Sequence, residues 1–277
     1  MTNNKKSPPE RYALVGHPVE HSRSPLIHTV FARQTGQRLT YELIDAEPAA
    51  FETAVRGFAA AGGKGLNITV PHKEAAFQLC AEHSVAATVA GAVNTISIVG
   101  GRLRGDNTDG TGFIRDVTVN LRQSLAGTRV VVLGAGGSAR GIVGPLLHEK
   151  PAEVTIANRT KERADDVVAK FQSTALFARS FAELAEQMPF DVLINATSAG
   201  LKGETPPFPA SLVGPRSFCY DLVYGSSDTP FVAWAKTHGA ARAVHGWGML
   251  VEQAAESFAI WRGVRPDTKP LLTQIPR

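Results

Sequence analysis

The chain has 277 residues, room for one large or two medium domains, and 43% of them are hydrophobic. With 19% charged residues it has the makings of ordinary buried cores, and a largely disordered chain is excluded; only the polar stretch Met1 to Glu10 reads as disordered. The formal net charge of +4 comes from scattered Lys and Arg, which argues against a nucleic-acid surface and suits an anionic small molecule.

Tyr12 to Val15 is a short apolar run closed by Gly16 and reads as a strand. Ser24 then reads as an N-cap with Pro25 at the first helical position, and Leu26, Ile27, Val30 and Phe31 continue at helical spacing. Leu39 to Ile44 is a second strand, and Phe51, Val55 and Phe58 mark a second helix stopped by Gly62 and Gly63. Gly65 to Ile68 is a third strand, after which Pro71 opens a helix through Phe77 and Leu79. This alternation predicts a mostly parallel sheet covered by helices.

A second alternating series begins near Arg129, with strands at Val130–Leu133, Val154–Ala157, Val192–Ile194, Phe218–Leu222 and Ala241–Val244. Helical spacing separates several of them, as at Ala164, Val167, Val168 and Phe171. A last helix runs from Met249 through Val251, Ala254, Ala255, Phe258 and Trp261, and ends at Gly263 and Pro266.

The turn Gly134-Ala135-Gly136-Gly137-Ser138-Ala139 stands directly between a strand and a helix, the context a dinucleotide fingerprint needs. Gly134 permits the tight turn, Gly136 lets backbone approach a pyrophosphate, and Ala139 lets the helix pack close. The next strand ends in Asn158-Arg159-Thr160, with Lys161 and Arg163 beyond, where an NAD enzyme usually places Asp or Glu. Guanidinium suits a 2′-phosphate, so NADP is expected over NAD.

Polar clusters fill the first half. Ser22 and Ser24 at a helix start can receive a carboxylate, and a cap alone does not require Ser22. Asn67 and Thr69 lie two apart, on one face of a strand end. Lys73 falls in the first helical turn, the unfavourable end of the dipole for a cation, and a local rule broken so often marks function. Asn94 offers another carboxamide, and Asp106-Asn107-Thr108-Asp109 crowds hydrogen-bonding groups on one loop, with Asp109 the functional candidate before Gly110. Cys80 and Cys219 form neither a CxxC nor a zinc spacing and read as inert core thiols, and no metal site is expected. Without a signal peptide or an apolar span, a soluble, cytoplasmic protein is expected.

These motifs, in order, resemble the shikimate/quinate dehydrogenase family, specifically its NADP-dependent shikimate dehydrogenases. The likeness rests on Ser22-Arg23-Ser24-Pro25, Asn67-x-Thr69-Val70-Pro71-x-Lys73, Gly91 to Thr95, Gly105 to Gly110, Gly134 to Gly137, Asn158-Arg159-Thr160 and Gly246-x-Gly248-Met249-Leu250. The resemblance spans roughly residues 11 to 265. It implies reversible reduction of 3-dehydroshikimate to shikimate with NADPH, on the way to aromatic amino acids. It implies a substrate site of Ser22, Ser24, Asn67, Thr69, Lys73, Asn94, Asp109, Tyr224 and Gln253, with Lys73 and Asp109 catalytic. It implies a cofactor site of Gly134, Ala135, Gly136, Gly137, Ser138, Asn158, Arg159, Thr160, Lys161, Glu162, Arg163, Leu222 and Gly246. His72, His245 and Trp247 depart from the family pattern, and the two histidines read as packing or solvent residues.

The expected architecture is two α/β domains: a substrate domain of residues 1–109 completed by 246–277, and a Rossmann-like NADP domain of residues 110–245, as a monomer or homodimer. The chain passes between them twice, so the active site is expected in the intervening cleft. Lys73 would stabilise charge on the ketone oxygen, either donating the proton or acting by its charge alone, while Asp109 would orient Lys73 and accept a substrate hydroxyl. Alternatives are an NAD-dependent quinate/shikimate dehydrogenase, a non-catalytic NADP-sensing regulator and a methyltransferase. The basic Arg159 end of the strand argues against the first and the last.

Overall fold

The structure is a computed structural model that describes residues 8–197 and 208–274. Of the predicted disordered stretch, residues 1–7 lie outside the described residues, and Glu10 already belongs to a strand. Within the described residues the chain forms two compact units. Of the described residues, the first comprises 8–88, 92–108 and 254–268, the second 89–91, 109–197, 208–253 and 269–274. Trp247 to Gln253 and the terminal segment thus group with the second unit, whereas the boundary drawn at 246 put them with the first.

The first unit runs β1 (Glu10–Gly16), α1 (Ser24–Gln34), β2 (Leu39–Asp45), α2 (Phe51–Ala60), β3 (Gly65–Ile68), α3 (Lys73–Leu79), β4 (Glu82–His83), α4 (Val85–Ala90), β5 (Thr95–Val99) and β6 (Arg102–Asp106). The sheet order is β2-β1-β3-β5-β6-β4. β1 pairs in parallel with β2 and β3, as the alternation predicts. The hairpin β5–β6 runs antiparallel and joins β3 antiparallel, a departure the sequence reading missed. Its turn residues Gly100 and Gly101 both take positive φ, the conformation a tight hairpin demands. One sheet face packs Ala13, Val15, Leu66 and Ile68 on Phe51, Val55 and Phe58 of α2. By strand alternation Asn67 faces the other way, the side on which His28 of α1 meets Tyr41, Phe258 and Trp261.

Two local expectations fail here. α1 includes Ser24 itself, its cap is Arg23, and no side chain caps it. α3 begins at Lys73 with His72 as cap, so Pro71 precedes the helix, and Thr69 lies beyond the end of β3.

The second unit runs α5 (Asp109–Ile114), which passes into a π-helical turn at Arg115–Asn120, then β7 (Arg129–Leu133), α6 (Gly137–His148), β8 (Glu153–Asn158), α7 (Lys161–Val168) and β9 (Leu176–Ser180). It continues with β10 (Val192–Asn195), β11 (Phe218–Asp221), α8 (Pro230–Thr237), β12 (Arg242–His245), α9 (Trp247–Arg262) and α10 (Lys269–Leu272). The sheet is wholly parallel, in the order β12-β11-β10-β7-β8-β9. Val130, Val132, Ile156, Val192 and Ile194 pack on one face against Ile142, Val143 and Leu146 of α6. Val131, Leu133, Leu193 and Cys219 pack on the other against Phe231 and Val232 of α8. Strands buried on both faces read as continuous apolar runs, which is why the sequence revealed them. The edge strand β9 was missed: Phe177 is exposed and the run carries Arg179. The strand order reverses between β7 and β10, the place where such sheets bind ligands.

Candidate functional site

In the first unit the chain gathers several predicted residues at the end of β3. Ile68 N–H donates to Asn94 O at 2.8 Å, and Val93 N–H donates to Lys73 O at 2.8 Å. The β3–α3 connection and the loop before β5 are therefore laced together, which brings Asn67, Lys73 and Asn94 into one neighbourhood. Lys73 is only 8% exposed. A buried cation at the positive end of a helix costs stability, so packing alone does not explain it. His72 anchors the turn before it: its ring stacks on Phe51 at 4.5 Å and its Nε2 lies 2.7 Å from Ala46 O. It is a packing histidine.

The amides are held by a dense network. Tyr41 donates to Asn67 Oδ1 at 2.7 Å, and Asn67 Nδ2 donates to Ser257 Oγ at 3.0 Å. Asn94 Nδ2 donates to Thr108 Oγ1 at 2.9 Å, while Asn94 Oδ1 accepts from Thr108 N–H at 2.9 Å. Asp106 and Asn107 serve the loop itself. Asp106 Oδ1 accepts from Ser84 Oγ at 2.7 Å, and Asn107 Nδ2 donates to Ala92 O at 2.9 Å. Ser22 is not the cap of α1, but Ser24 N–H donates to its Oγ at 3.2 Å, so its hydroxyl holds the loop that enters the helix. The hydroxyl doublet therefore has a local structural reason that the sequence reading denied to Ser22.

His28 is fully buried, and neither ring nitrogen has a hydrogen-bond partner among the described residues. Burial pushes its pKa down to about 3, with the nearby Asn67 side chain opposing in part. The unfolded chain takes up a proton near the ordinary value of 6.5 that the native state refuses, so stability falls as pH drops from 6.5 toward 3. His28 should cost about 2 kcal/mol of stability at pH 5 relative to pH 8, at roughly 1.4 kcal/mol per pH unit. Urea unfolding of wild type and His28→Phe at both pH values checks this; parallel pH dependence in the two proteins would refute it.

In the second unit the glycine turn joins β7 to α6 at the switch point. Gly134 has φ +114°, and a Cβ there would stand 2.9 Å from Ala196 O. A Cβ on Gly136 would meet nothing within 4 Å among the described residues. Gly136 caps α6 without any side-chain bond, which leaves the first N–H groups to a ligand. Arg140 in the next turn is 8% exposed, and its buried Nε has no partner among the described residues, a donor that an anion would satisfy. These features fit a pyrophosphate. Arg140 escaped the sequence reading, although a cation early in a helix was the very signal used for Lys73.

At the end of β8, Asn158 Nδ2 donates to Thr160 O at 2.9 Å and shapes the turn. Arg159 is exposed and makes no hydrogen bond or ion pair among the described residues. Lys161 is engaged by Asp165 at 2.8 and 3.0 Å, and that hydrogen bond raises its pKa. Glu162 and Arg163 are exposed.

The turn after β11, with Leu222 and Tyr224, hangs on buried Asp221. Its Oδ1 accepts from Asn195 Nδ2 at 2.9 Å and Val223 N–H at 3.1 Å, and its Oδ2 accepts from Thr229 Oγ1 at 2.5 Å. Burial pushes the Asp221 carboxyl up to about 6, with the three donors opposing. The sequence reading missed both Asp221 and Asn195, whose residue types carry no signal on an apolar strand. A Cβ on Gly246 would lie 2.6 Å from Leu222 O, so this glycine has a packing reason beside any cofactor role. His245 and Trp247 are buried; Trp247 Nε1 donates to Leu271 O at 2.9 Å and its ring lies 6.2 Å from Tyr224. Asp109 opens α5 and is 3% exposed, and Gln253 Nε2 donates to Leu250 O at 2.9 Å. Burial pushes the Cys80 thiol up to about 11 and Cys219 to about 12, so both stay inert.

A doubly wound parallel unit with an open glycine turn, carried on the same chain as a second α/β unit rich in carboxamides and hydroxyls, defines a dinucleotide-dependent oxidoreductase. Residues 14–96 match the shikimate dehydrogenase substrate binding domain, 117–202 the shikimate/quinate 5-dehydrogenase family and 246–275 the shikimate 5′-dehydrogenase C-terminal domain. The chain is 57% identical over 267 residues to the shikimate dehydrogenase (NADP(+)) of Alkalilimnicola ehrlichii, covering 96% of this chain and 98% of that one. It is similar to the crystal structure of an Ael1 enzyme from Pseudomonas putida, at TM-score 0.87 and 42% identity over 97% of this chain and 98% of that one. It is similar also to shikimate 5-dehydrogenase from Thermus thermophilus in complex with NADP(H) and shikimate, at TM-score 0.82 and 34% identity over 95% and 97%. The chain belongs to the shikimate dehydrogenase family.

Proposed function

We propose that this protein catalyses the reversible reduction of 3-dehydroshikimate to shikimate by NADPH, with uptake of one proton, in the biosynthesis of aromatic amino acids. The observation that carries the reading is Lys73, buried to 8% exposure and tied through its carbonyl to the loop bearing Asn94. NADP(H), when bound, supplies or accepts the hydride. Gly134 to Ser138 would hold its pyrophosphate, Asn158 to Arg163 its adenosine phosphate, and Leu222 and Gly246 would flank it. Lys73 would stabilise the negative charge that grows on the carbonyl oxygen and deliver the proton to it. Asp109 would accept a substrate hydroxyl. Ser22, Ser24 and Thr69 would hold the carboxylate, and Asn67, Asn94, Tyr224 and Gln253 would fix the ring.

Among the described residues no helix is long and apolar enough to cross a membrane. The proposed setting is the cytoplasm, with the protein a monomer or homodimer. The test is NADPH absorbance with shikimate or quinate, each paired with NADP or NAD. Turnover should be greatest with shikimate and NADP, and its absence with that pair, despite NADPH binding, would instead identify a sensor.

A further inference from the structure

Resting on that reading, we propose that Ser257 is a positioning residue for substrate binding, the link through which one directed hydrogen-bond chain presets the Asn67 and Asn94 carboxamides. The chain lies within the first unit. Tyr41 O–H donates to Asn67 Oδ1 at 2.7 Å, and Asn67 Nδ2 donates to Ser257 Oγ at 3.0 Å. Ser257 Oγ lies 2.7 Å from Thr95 Oγ1, and Thr95 O–H donates to Asn94 Oδ1 at 2.8 Å. Asn94 Nδ2 then donates to Thr108 Oγ1 at 2.9 Å.

Proton counting fixes the one open bond. Thr95 spends its only hydroxyl proton on Asn94, so it must accept from Ser257. Every link then donates in the same sense, from Tyr41 to Thr108, and links so arranged polarise one another. Ser257 is also fully buried, and its hydroxyl faces Thr108 Oγ1 at 3.2 Å as well as Thr95, so it is held within this network.

The consequence is an orientation. The Asn67 oxygen faces Tyr41, and its amino group is consumed inside the protein by Ser257 at 3.0 Å and by Asn94 O and Thr95 Oγ1 at 3.2 Å each. Asn67 therefore meets a ligand as an acceptor, able to take a hydroxyl proton on its remaining lone pair. The other end of the chain is set by aromatic packing: Tyr41 stacks on His28 at 4.2 Å with 7° between the planes. Losing the Ser257 hydroxyl removes the nearest of three acceptors of the amino group, leaving Asn94 O and Thr95 Oγ1 at 3.2 Å each, and so loosens the orientation in which the carboxamide meets the ligand.

The experiment is steady-state kinetics of Ser257→Ala, Ser257→Thr and Tyr41→Phe, with KM measured separately for shikimate and NADP. Ser257→Ala and Tyr41→Phe should each raise KM for shikimate about three- to tenfold, leave KM for NADP unchanged and lower kcat less. Ser257→Thr, which keeps the hydroxyl, should recover most of the loss. The double variant should fall well short of the product of the two effects, because both act on one chain. Mere loss of folded enzyme would lower apparent kcat and leave both KM values alone. An unchanged KM for shikimate in both single variants, or an equal rise for NADP, overturns the proposal. Should Ser257→Ala fail to fold, Tyr41→Phe decides alone, since it keeps the ring on His28. Wild-type protein that does not oxidise shikimate at all would instead refute the functional reading beneath.

Discussion

Lys73→Ala is expected to lower kcat for shikimate oxidation by about 10²–10⁴-fold, the usual worth of a positioned acid or electrostatic stabiliser. At about 1.4 kcal/mol per decade this asks roughly 3–5.5 kcal/mol of one ammonium group. A surface lysine could not supply it, because water would screen the charge as it formed. Lys73 is buried to 8% exposure at the first position of α3, where the helix dipole opposes it, so its field acts in a medium that screens poorly. The turn that carries it is fixed by the His72 stack on Phe51, and its carbonyl is fixed by Val93. The ammonium is thus mounted on rigid backbone, the condition for preorganised catalysis. Measurement at saturating shikimate and NADP separates this loss from weakened binding, and thermal unfolding shows that the variant is folded. Turnover within about tenfold of wild type would remove Lys73 from the chemistry.

The same contrast between charge and position explains what the sequence disclosed. β7, β8, β10 and β11 were legible because strands covered on both faces are apolar throughout. Gly134 stood out through its glycine fingerprint between a strand and a helix, and Lys73 because its charge breaks a local preference; the φ of +114° at Gly134 then shows why glycine is needed there. The hairpin β5–β6 was not legible, because Thr95 to Val99 alternates too weakly and its turn is a plain glycine pair. The supporting residues were invisible altogether. Ser257 sits at an ordinary position of an amphipathic helix, Tyr41 on a half-buried strand, and Asp221 at the end of an apolar one. Nothing in spacing says that Ser257 reaches Asn67 across 190 positions of chain, and only the fold supplies that contact. Sequence reasoning finds residues that violate a local rule; it does not find those that obey every local rule and act through a distant partner.

Arg159 is the second residue whose loss should be large and selective. Arg159→Ala is expected to raise KM for NADP about tenfold and to leave KM for NAD nearly unchanged. A charge-assisted hydrogen bond contributes roughly 1.5–3 kcal/mol, or about ten- to a hundredfold in affinity. The low end applies because Arg159 is exposed and its contact with a phosphate would be screened by solvent. The neighbouring cation does not substitute for it. Lys161 is held by Asp165 at 2.8 Å, so Lys161→Ala should have a smaller effect than Arg159→Ala. The guanidinium of Arg159, without a partner among the described residues, has no such contact to give up when a 2′-phosphate arrives. Screening also fixes the salt dependence: the wild-type preference for NADP should narrow as ionic strength rises, and that of Arg159→Ala should hardly move. KM for both cofactors, measured in the two proteins at low and high salt, checks every part of this. Equal losses for NADP and NAD would mean that Arg159 supports the adenosine turn rather than the phosphate, and the basis for cofactor choice would have to be sought at another side chain.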